Sequence, residues 1–432
     1  MSDRGLPARR AALEALAEVE ERGRWSNLAV PDAIAPLPEA RDRAFAAHLA
    51  YETLRWQGSL DAALATVLTR PLDQVEPALQ RVLRLGAVQL LISDVPDRAA
   101  VDTSVALARE AVPRRRAQGA SGFVNGVLRA LARAPRRDGW PVVADDPVEH
   151  LALTTGHPRW IVEDLLARYP EERAAAILAA DDLAPGVTLR ANGDRDVLLE
   201  ELHAAGVEAW AGVVPDAIRA PGADPRRLEM VREGRAVVQD EASMRVARAT
   251  GAGPGDRVLD LCAGPGGKTT HLAHLVGPTG SVHAVERHDH RARLIRQAAA
   301  RQGVSVEVSV GDARAVETAP VHDVVLLDAP CTGLGTGRRR PEVRWRRTPA
   351  DVAELAALQR ELLPVAAAAT APGGTLTYAV CTWTAAETSG VIDAFEGSAA
   401  SAGFTRVEVV QLLPDEHDTD GMFIATWRRA DP

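Results

Sequence analysis

Hydrophobic positions recur every three to four residues from the start of the chain to about residue 140. ARRAALEALAEVEERG, ARDRAFAAHLAYETLRW, LQRVLRLGAVQLLIS, DTSVALAREAV and SGFVNGVLRALAR all carry this spacing, and no segment alternates as a strand would. The pattern predicts an all-α bundle over 1–140. Asp102 or Thr103 is expected to cap the fourth of these helices and Ser121 the fifth. RRDGWPVVADDPVE at 136–149 reads as a linker. Residues 150–235 mix the helices HPRWIVEDLLARY and DVLLEELHAAG with the strand GVTLRAN, which predicts a small α/β connector.

From about residue 236 apolar strands alternate with helices. RVLDLC precedes KTTHLAHLVG, SVHAVE precedes DHRARLIRQAAARQG, and VEVSVGD follows. HDVVLLDAP then precedes a long helix from PADVAELAALQ, and GTLTYAVC precedes AAETSGVIDAFEG. Near-continuous apolar strands separated by helices predict a mostly parallel, doubly wound sheet over 236–432. RVEVVQ and GMFIATWRR have no clear helix between them, so they are expected as antiparallel edge strands.

Composition narrows the setting. No stretch approaches the ~18 apolar residues of a membrane span, and MSDRGLPARR lacks the apolar run of a secretory signal. The expectation is a cytoplasmic chain. Three cysteines, Cys262, Cys331 and Cys381, are too few for a disulfide framework. Without CxxC or CxxH spacing they suggest no metal site. The formal net charge of −9 hides two basic runs. Residues 101–140 hold eight Arg against three acids, and RRRPEVRWRR at 338–347 holds six Arg against one Glu. Either run is a solvated face or a set of phosphate contacts. Of 50 basic residues only Lys268 is lysine.

That lysine follows a glycine-rich turn. The first strand of the doubly wound part ends at Asp260 and runs into Cys262-Ala263-Gly264-Pro265-Gly266-Gly267-Lys268-Thr269. A phosphate-binding P-loop would need glycine at 262, and a dinucleotide fingerprint would need glycine at 269. Both fail. An S-adenosylmethionine loop remains, because the next strands end in Glu286, suited to the ribose hydroxyls, and in Asp312, suited to the adenine. Such acids equally cap the helices that follow them.

The fourth strand ends in Asp328-Ala329-Pro330-Cys331-Thr332-Gly333, where amino-directed methyltransferases place an aromatic residue. The fifth ends in Thr377-Tyr378-Ala379-Val380-Cys381. Adjacent parallel strands bring their carboxyl ends together, so both thiols are expected in one pocket. A thiolate that adds to C6 of cytosine turns unreactive C5 into an enamine carbon. Asp328 would neutralise charge at N3, a base would then remove the C5 proton, and Lys268 would lower the nucleophile's pKa. Each cysteine alone is more simply core filler, and Cys262 is expected to be structural.

QDEAS at 239–243, DLCAGPGGKT at 260–269, DAPCTGLG at 328–335 and TYAVCTW at 377–383 resemble the RNA cytosine-5 methyltransferases of the Sun (RsmB) family. RRRPEVRW at 338–345 is similar to that family's arginine-rich stretch. LRLGAVQLL at 83–91 and GFVNGVLR at 122–129 resemble a NusB-like RNA-binding domain. The resemblance spans nearly the whole chain. It implies a multidomain protein: an all-α NusB-like domain at 1–140, a small α/β connector at 150–235 and a Rossmann-like class I methyltransferase domain at 236–432. It also implies Cys381 as nucleophile, Cys331 in product release, and Asp328 and Lys268 beside them. S-adenosylmethionine contacts carry over to Cys262, Ala263, Gly264, Pro265, Gly266, Gly267, Lys268, Glu286, Asp312 and Asp328. The implied partner is RNA, 16S ribosomal RNA or an assembling small subunit, met by a monomer away from membranes. Transfer RNA is the alternative target, and a non-catalytic NusB-related assembly factor is the rival class. DNA cytosine methyltransferases use the proline–cysteine thiol as nucleophile and need a Glu-Asn-Val motif absent here. Two positions depart from the family: Val380 replaces a usual threonine, and Glu286 a frequent aspartate. Trp345 is either a base-stacking residue or an anchored core residue.

Overall fold

The helical spacing of the first third becomes seven α-helices: Leu6–Arg22, Ser26–Ile34, Ala40–Arg55, Gln57–Ala65, Pro77–Leu91, Asp97–Glu110 and Ala117–Arg133. The computed structural model describes residues 5–135, 140, 145–316 and 319–431. Pro77–Leu91 is the central helix, buried almost continuously from Leu79 to Leu90. Leu16, Leu49, Leu60, Val124 and Leu128 pack around it in one core. Its buried Arg84 pairs with Asp61 at 2.7 Å and with Glu20 at 3.2 Å, so the charge is not left uncompensated.

Two expected caps are corrected. The helix at 97 starts on Pro96, because Asp97 extends the pattern upstream of Asp102 and Thr103. The last helix starts at Ala117, so Ser121 lies inside it and donates to the Ala117 carbonyl at 2.6 Å. Of the expected linker at 136–149, residues 136–139 and 141–144 lie outside the described residues.

The chain forms two compact units: Met1–Asp182 with Arg339–Arg346, and Leu183–Arg338 with Arg347–Pro432. The first unit thus takes three further helices, Pro147–Thr154, Arg159–Leu166 and Glu171–Asp181, and eight residues from far along the sequence. Those eight hold part of the second arginine run, whose expected phosphate contacts give way to internal ones. Arg344 is 1% exposed and pairs with Asp181 at 2.6 Å and Asp182 at 2.7 Å. Arg346 donates to the carbonyls of Val19, Gly23 and Arg24 and lies over the Trp25 ring. The guanidinium fork satisfies several acceptors at once, which suits it to a buried seam. Trp345 is the anchored core residue of the two alternatives: its Nε1 donates to the Leu54 carbonyl at 2.7 Å. Its ring occupies the space where a side chain at Gly58 would lie, 2.4 Å from an added Cβ.

In the second unit, β1 (Thr188–Ala191), β2 (Trp210–Ala211), β3 (Ala217–Arg219) and β4 (Ala236–Val238) form an antiparallel sheet in the order β2-β3-β1-β4. The larger sheet contains β5 (Arg257–Leu261), β6 (Ser281–Glu286), β7 (Glu307–Val310), β8 (His322–Asp328), β9 (Thr370–Val380), β10 (Phe404–Leu412) and β11 (Met422–Arg429). Its order is β10-β11-β9-β8-β5-β6-β7, with β9 to β7 parallel. β10 is an antiparallel edge as expected, but β11 lies inside, hydrogen-bonded to both β9 and β10. Successive side chains of β8 alternate between two cores: Val325 and Leu327 face the helices Pro349–Ala369 and Ser389–Glu396, and Val324 and Leu326 face Gly267–Val276. Both faces are covered, which is why these strands read as unbroken apolar runs. The chain leaves β5 toward β6 on one side and returns to β8 on the other. This strand-order reversal opens a crevice at the carboxyl ends.

Candidate active site

The loop after β5 is shaped by backbone contacts before any ligand is considered. Cys262 has a left-handed φ of 64° and Ala263 N–H donates to the Val285 carbonyl at 3.0 Å. Gly264 N–H then donates to Glu286 Oε2 at 2.9 Å, and a Cβ at Gly264 would lie 2.2 Å from that oxygen. Only glycine lets the loop approach the carboxylate this closely. Pro265 follows a cis peptide bond. Gly266, with φ 105°, caps the helix Gly267–Val276, and a side chain there would press on the Ile295 backbone at 3.1 Å. Glu286 is buried, and its Oε1 accepts from His288 N–H at 2.8 Å. A carboxylate has about four acceptor positions, so two remain for a ligand.

Asp260 is fully buried under this loop. Thr269 donates to its Oδ2 at 2.6 Å, while Oδ1 has no partner. Burial lifts its carboxyl to about 7. Burial also pushes the Cys262 thiol up to about 12, helped by the negative charges of Asp328, Asp260, Glu286 and Asp312. Asp312 itself stands apart from this buried group. Its carboxylate pairs with Arg314 at 2.7 Å, which holds it down at about 2.

At the ends of the next two strands the thiols meet. Cys331 and Cys381 Sγ lie 3.3 Å apart. Lys268 Nζ donates to Asp328 Oδ2 at 2.7 Å. Burial pulls the Lys268 ammonium down, but the charge and hydrogen bond of Asp328, with Cys381 and Asp260, outweigh it and hold its pKa above the ordinary value. The expectation that Lys268 lowers a thiol's pKa concerns the nucleophile Cys381; Cys331 is in a different position. Its thiol is held well above the usual range by the hydrogen bond with Cys381, by burial and by the neighbouring carboxylates.

Similarity to known proteins bears on this arrangement. The family model described as 16S rRNA methyltransferase RsmB/F matches residues 251–428. NusB-family and RsmF/B-like ferredoxin-like models match 6–133 and 157–223. A Mycobacterium tuberculosis protein named only as a methyltransferase is 44% identical, covering 98% of this chain and 96% of its own. Ribosomal RNA small subunit methyltransferase B of Pseudomonas syringae is 34% identical, covering 96% of both. The chain belongs to the RsmB/F methyltransferase family. The crystal structure of PH0851 aligns with a TM-score of 0.87 at 25% identity, covering 99% of this chain and 100% of that one. The three-part architecture expected from sequence, NusB-like, connector and Rossmann-like, is the architecture of this RsmB/F member.

Two residues of this family member escaped the sequence reading. Glu387 is fully buried and joins the two thiol loops. Thr332 N–H donates to its Oε1 at 2.8 Å and Thr332 Oγ1 to its Oε2 at 2.6 Å, on the Cys331 side. Thr384 Oγ1 donates to Oε2 at 2.9 Å, on the Cys381 side. Gln359, from the long helix, donates to Oε1 and to the Pro330 carbonyl. The available signal was a glutamate among threonines in TWTAAET. Arg190 on β1 is the second. It donates to the Gly267 carbonyl at 2.7 Å and to Thr270, Gln239 and Gln302, bracing the cofactor-side helix from the small sheet. Burial pulls its guanidinium down to about 10. An arginine inside an apolar strand, GVTLRAN, was the cue.

Proposed function

We propose that the chain transfers a methyl group from S-adenosylmethionine to C5 of a cytosine in 16S ribosomal RNA, through a covalent bond between Cys381 and C6. The observation that carries this reading is the pair of sulfurs 3.3 Å apart beside the Lys268–Asp328 ion pair. Relatives named ribosomal RNA small subunit methyltransferase B and the NusB-family match support the choice of RNA. Bound S-adenosylmethionine would supply an electrophilic methyl carbon. Residues 262–268, Glu286, Asp312 and Asp328 are the groups to hold it. The fit rests on the unpartnered buried Oδ1 of Asp260 and on the open space beside Gly311.

The thiol pair sets the order of events. Hydrogen bonding with Cys381, burial and the nearby carboxylates hold the Cys331 thiol well above the usual range, and Cys381 is the thiol assigned as nucleophile. Its thiolate faces the Lys268 ammonium. As Cys381 Sγ bonds to C6, negative charge moves toward N3. Asp328 delivers a proton there, drawn from Lys268 across their 2.7 Å bond. Bond formation also takes Cys381 out of its hydrogen bond with Cys331, the largest cause of the raised Cys331 pKa, and removes the charge on Cys381. Cys331 can then release its proton to solvent, the one net proton the reaction yields, and, as a thiolate, accept the C5 proton once the methyl group is in place. The C6–S bond breaks, the N3 proton returns, and Cys381 leaves as a thiolate.

Cys381→Ala is expected to lose methyl transfer and form no adduct. Cys331→Ala is expected to accumulate an RNA–protein adduct that survives a denaturing gel. Normal turnover by Cys331→Ala with no adduct would rule the two-thiol route out. Bisulfite sequencing of RNA from cells lacking the gene reads the target: loss of one cytosine signal in 16S ribosomal RNA is expected, and loss from transfer RNA would move the substrate.

A further inference from the structure

The sulfurs of Cys331 and Cys381 lie 3.3 Å apart, which leaves no room for an atom between them. Both residues are partly exposed, so a small dissolved molecule reaches them. A disulfide holds its sulfurs about 2.05 Å apart, so closing this pair takes an approach of about 1.3 Å. The backbones that carry the thiols are tied together on either side. Ala329 N–H donates to the Ala379 carbonyl at 3.0 Å, and Gly335 N–H donates to the Cys381 carbonyl at 3.0 Å. Glu387 adds a third tie, accepting from Thr332 and from Thr384. The remaining approach is a rotation of two side chains. Cys262, the third cysteine, sits in the cofactor loop, and burial pushes its thiol up to about 12, which leaves little thiolate to compete.

Two thiols so placed react with a peroxide in a set order. The thiolate of Cys381 attacks one oxygen of hydrogen peroxide and the O–O bond breaks. Hydroxide leaves, takes up the proton that the thiol gave up, and becomes water, while the sulfur is left as a sulfenic acid. A sulfenic acid with no thiol beside it goes on to sulfinic and sulfonic acids, which are not recovered by thiols. Here the Cys331 sulfur, 3.3 Å away, attacks first. The S–S bond forms, the sulfenic hydroxyl departs with the Cys331 proton as a second water, and the thiols are spent. Two thiols and one peroxide thus give one disulfide and two waters, and two electrons pass from the sulfurs to the peroxide. A dithiol reverses the change by exchange. The Cys331 thiol is held up by its hydrogen bond with Cys381, by burial and by the charge of Cys381. That charge is gone once Cys381 is a sulfenic acid, which favours the second step.

We propose that Cys331 and Cys381 close into a reversible disulfide under peroxide, which switches the enzyme off and shields the nucleophile from irreversible oxidation. The pairing rests on the geometry of the two sulfurs; its effect on methyl transfer rests on the two-thiol route above. The test uses the full reduced chain, hydrogen peroxide and dithiothreitol. Peroxide is expected to lower the free thiols counted after denaturation from three to one. It should also remove the mass of two hydrogens and leave Cys331 and Cys381 peptides joined in a digest made without reductant. The protein should stay a single chain on a non-reducing gel, and Cys262→Ser should lose the same two thiols. Cys331→Ala should instead carry a sulfenic acid at Cys381 that dimedone labels, and after prolonged exposure it should not regain adduct formation with RNA. The oxidised parent should form no adduct and transfer no methyl group, and should regain both with dithiothreitol. Its binding of S-adenosylmethionine, read by calorimetry, should persist. A parent that keeps three thiols, or that joins either thiol to Cys262, would overturn the pairing. Full methyl transfer by the oxidised chain, a loss that dithiothreitol does not restore, or loss of cofactor binding on oxidation would overturn the switch. A chain that closes and reopens the pair but in its reduced form never methylates RNA would keep the disulfide and sink the functional reading, so the two fail separately.

Discussion

A single carboxyl shows how burial sets protonation in this site. Asp260 stands at about 7 because burial outweighs its hydrogen bond from Thr269. Below about pH 4 the folded and unfolded chains both hold a proton there. Between about 4 and 7 only the folded chain does. Stability contributed by this carboxyl is therefore present below the unfolded value and is lost as pH rises through the folded one. Asp260→Asn removes that titration and keeps an oxygen for Thr269. Relative to the parent, the variant should gain stability across the window, by up to roughly 4 kcal/mol at 1.36 kcal/mol per pKa unit. Melting of parent and variant at pH 5 and pH 7.5 checks this, and an identical pH response in both would mean that Asp260 stays ionised when folded.

At the scale of elements, two loops from adjacent strands must be held so that their sulfurs touch. Parallel strands bring the loops near, but Glu387 sets their spacing by accepting from Thr332 on one side and Thr384 on the other. Glu387→Gln keeps the volume and replaces one acceptor oxygen with a donor. Each mismatched buried partner costs about 1–3 kcal/mol. The variant should melt earlier and its kcat should fall by about 10–100-fold, on the scale of a misplaced catalytic group. Its affinity for S-adenosylmethionine should stay near the parent's, because the cofactor loop is braced separately by Arg190. Equal losses in kcat and cofactor affinity would mean that Glu387 supports the whole crevice. What was legible beforehand follows the same division. Strand ends are visible as apolar runs closing on Asp328 and Val380, so both thiols could be placed together. Glu387 and Arg190 were not legible, because a buried charge and a solvated one look alike until their partners are known. The caps at 102 and 121 were misplaced for a related reason: a serine inside a helix can bond backward to its own turn.

At the scale of the molecule, residues Arg339–Arg346 belong to the unit built by the first 182 residues. No periodicity in RRRPEVRWRR announces this, since six arginines read as a solvated face. The buried pairing of Arg344 with Asp181 and Asp182 reverses that reading. Arg344→Met would strip Asp182 of its ion pair and leave Asp181 with His157 alone, a loss of roughly 3–5 kcal/mol. The helical unit of that variant should open first, seen by limited proteolysis as early cleavage among residues 147–182. Cleavage no faster than in the parent would show that the seam contributes little. The same eight residues impose a schedule on synthesis. The helical unit emerges from the ribosome first, yet the segment that closes it is made roughly 160 residues later. At about 5–20 residues per second the wait is roughly ten to thirty seconds. For that interval the nascent bundle carries an uncovered Gly58 and two aspartates that lack Arg344, with His157 alone bonded to Asp181. It is a half-finished unit in need of shelter, and it matures only when the strand ending at Asp328, and Cys331 in the loop after it, have already been translated.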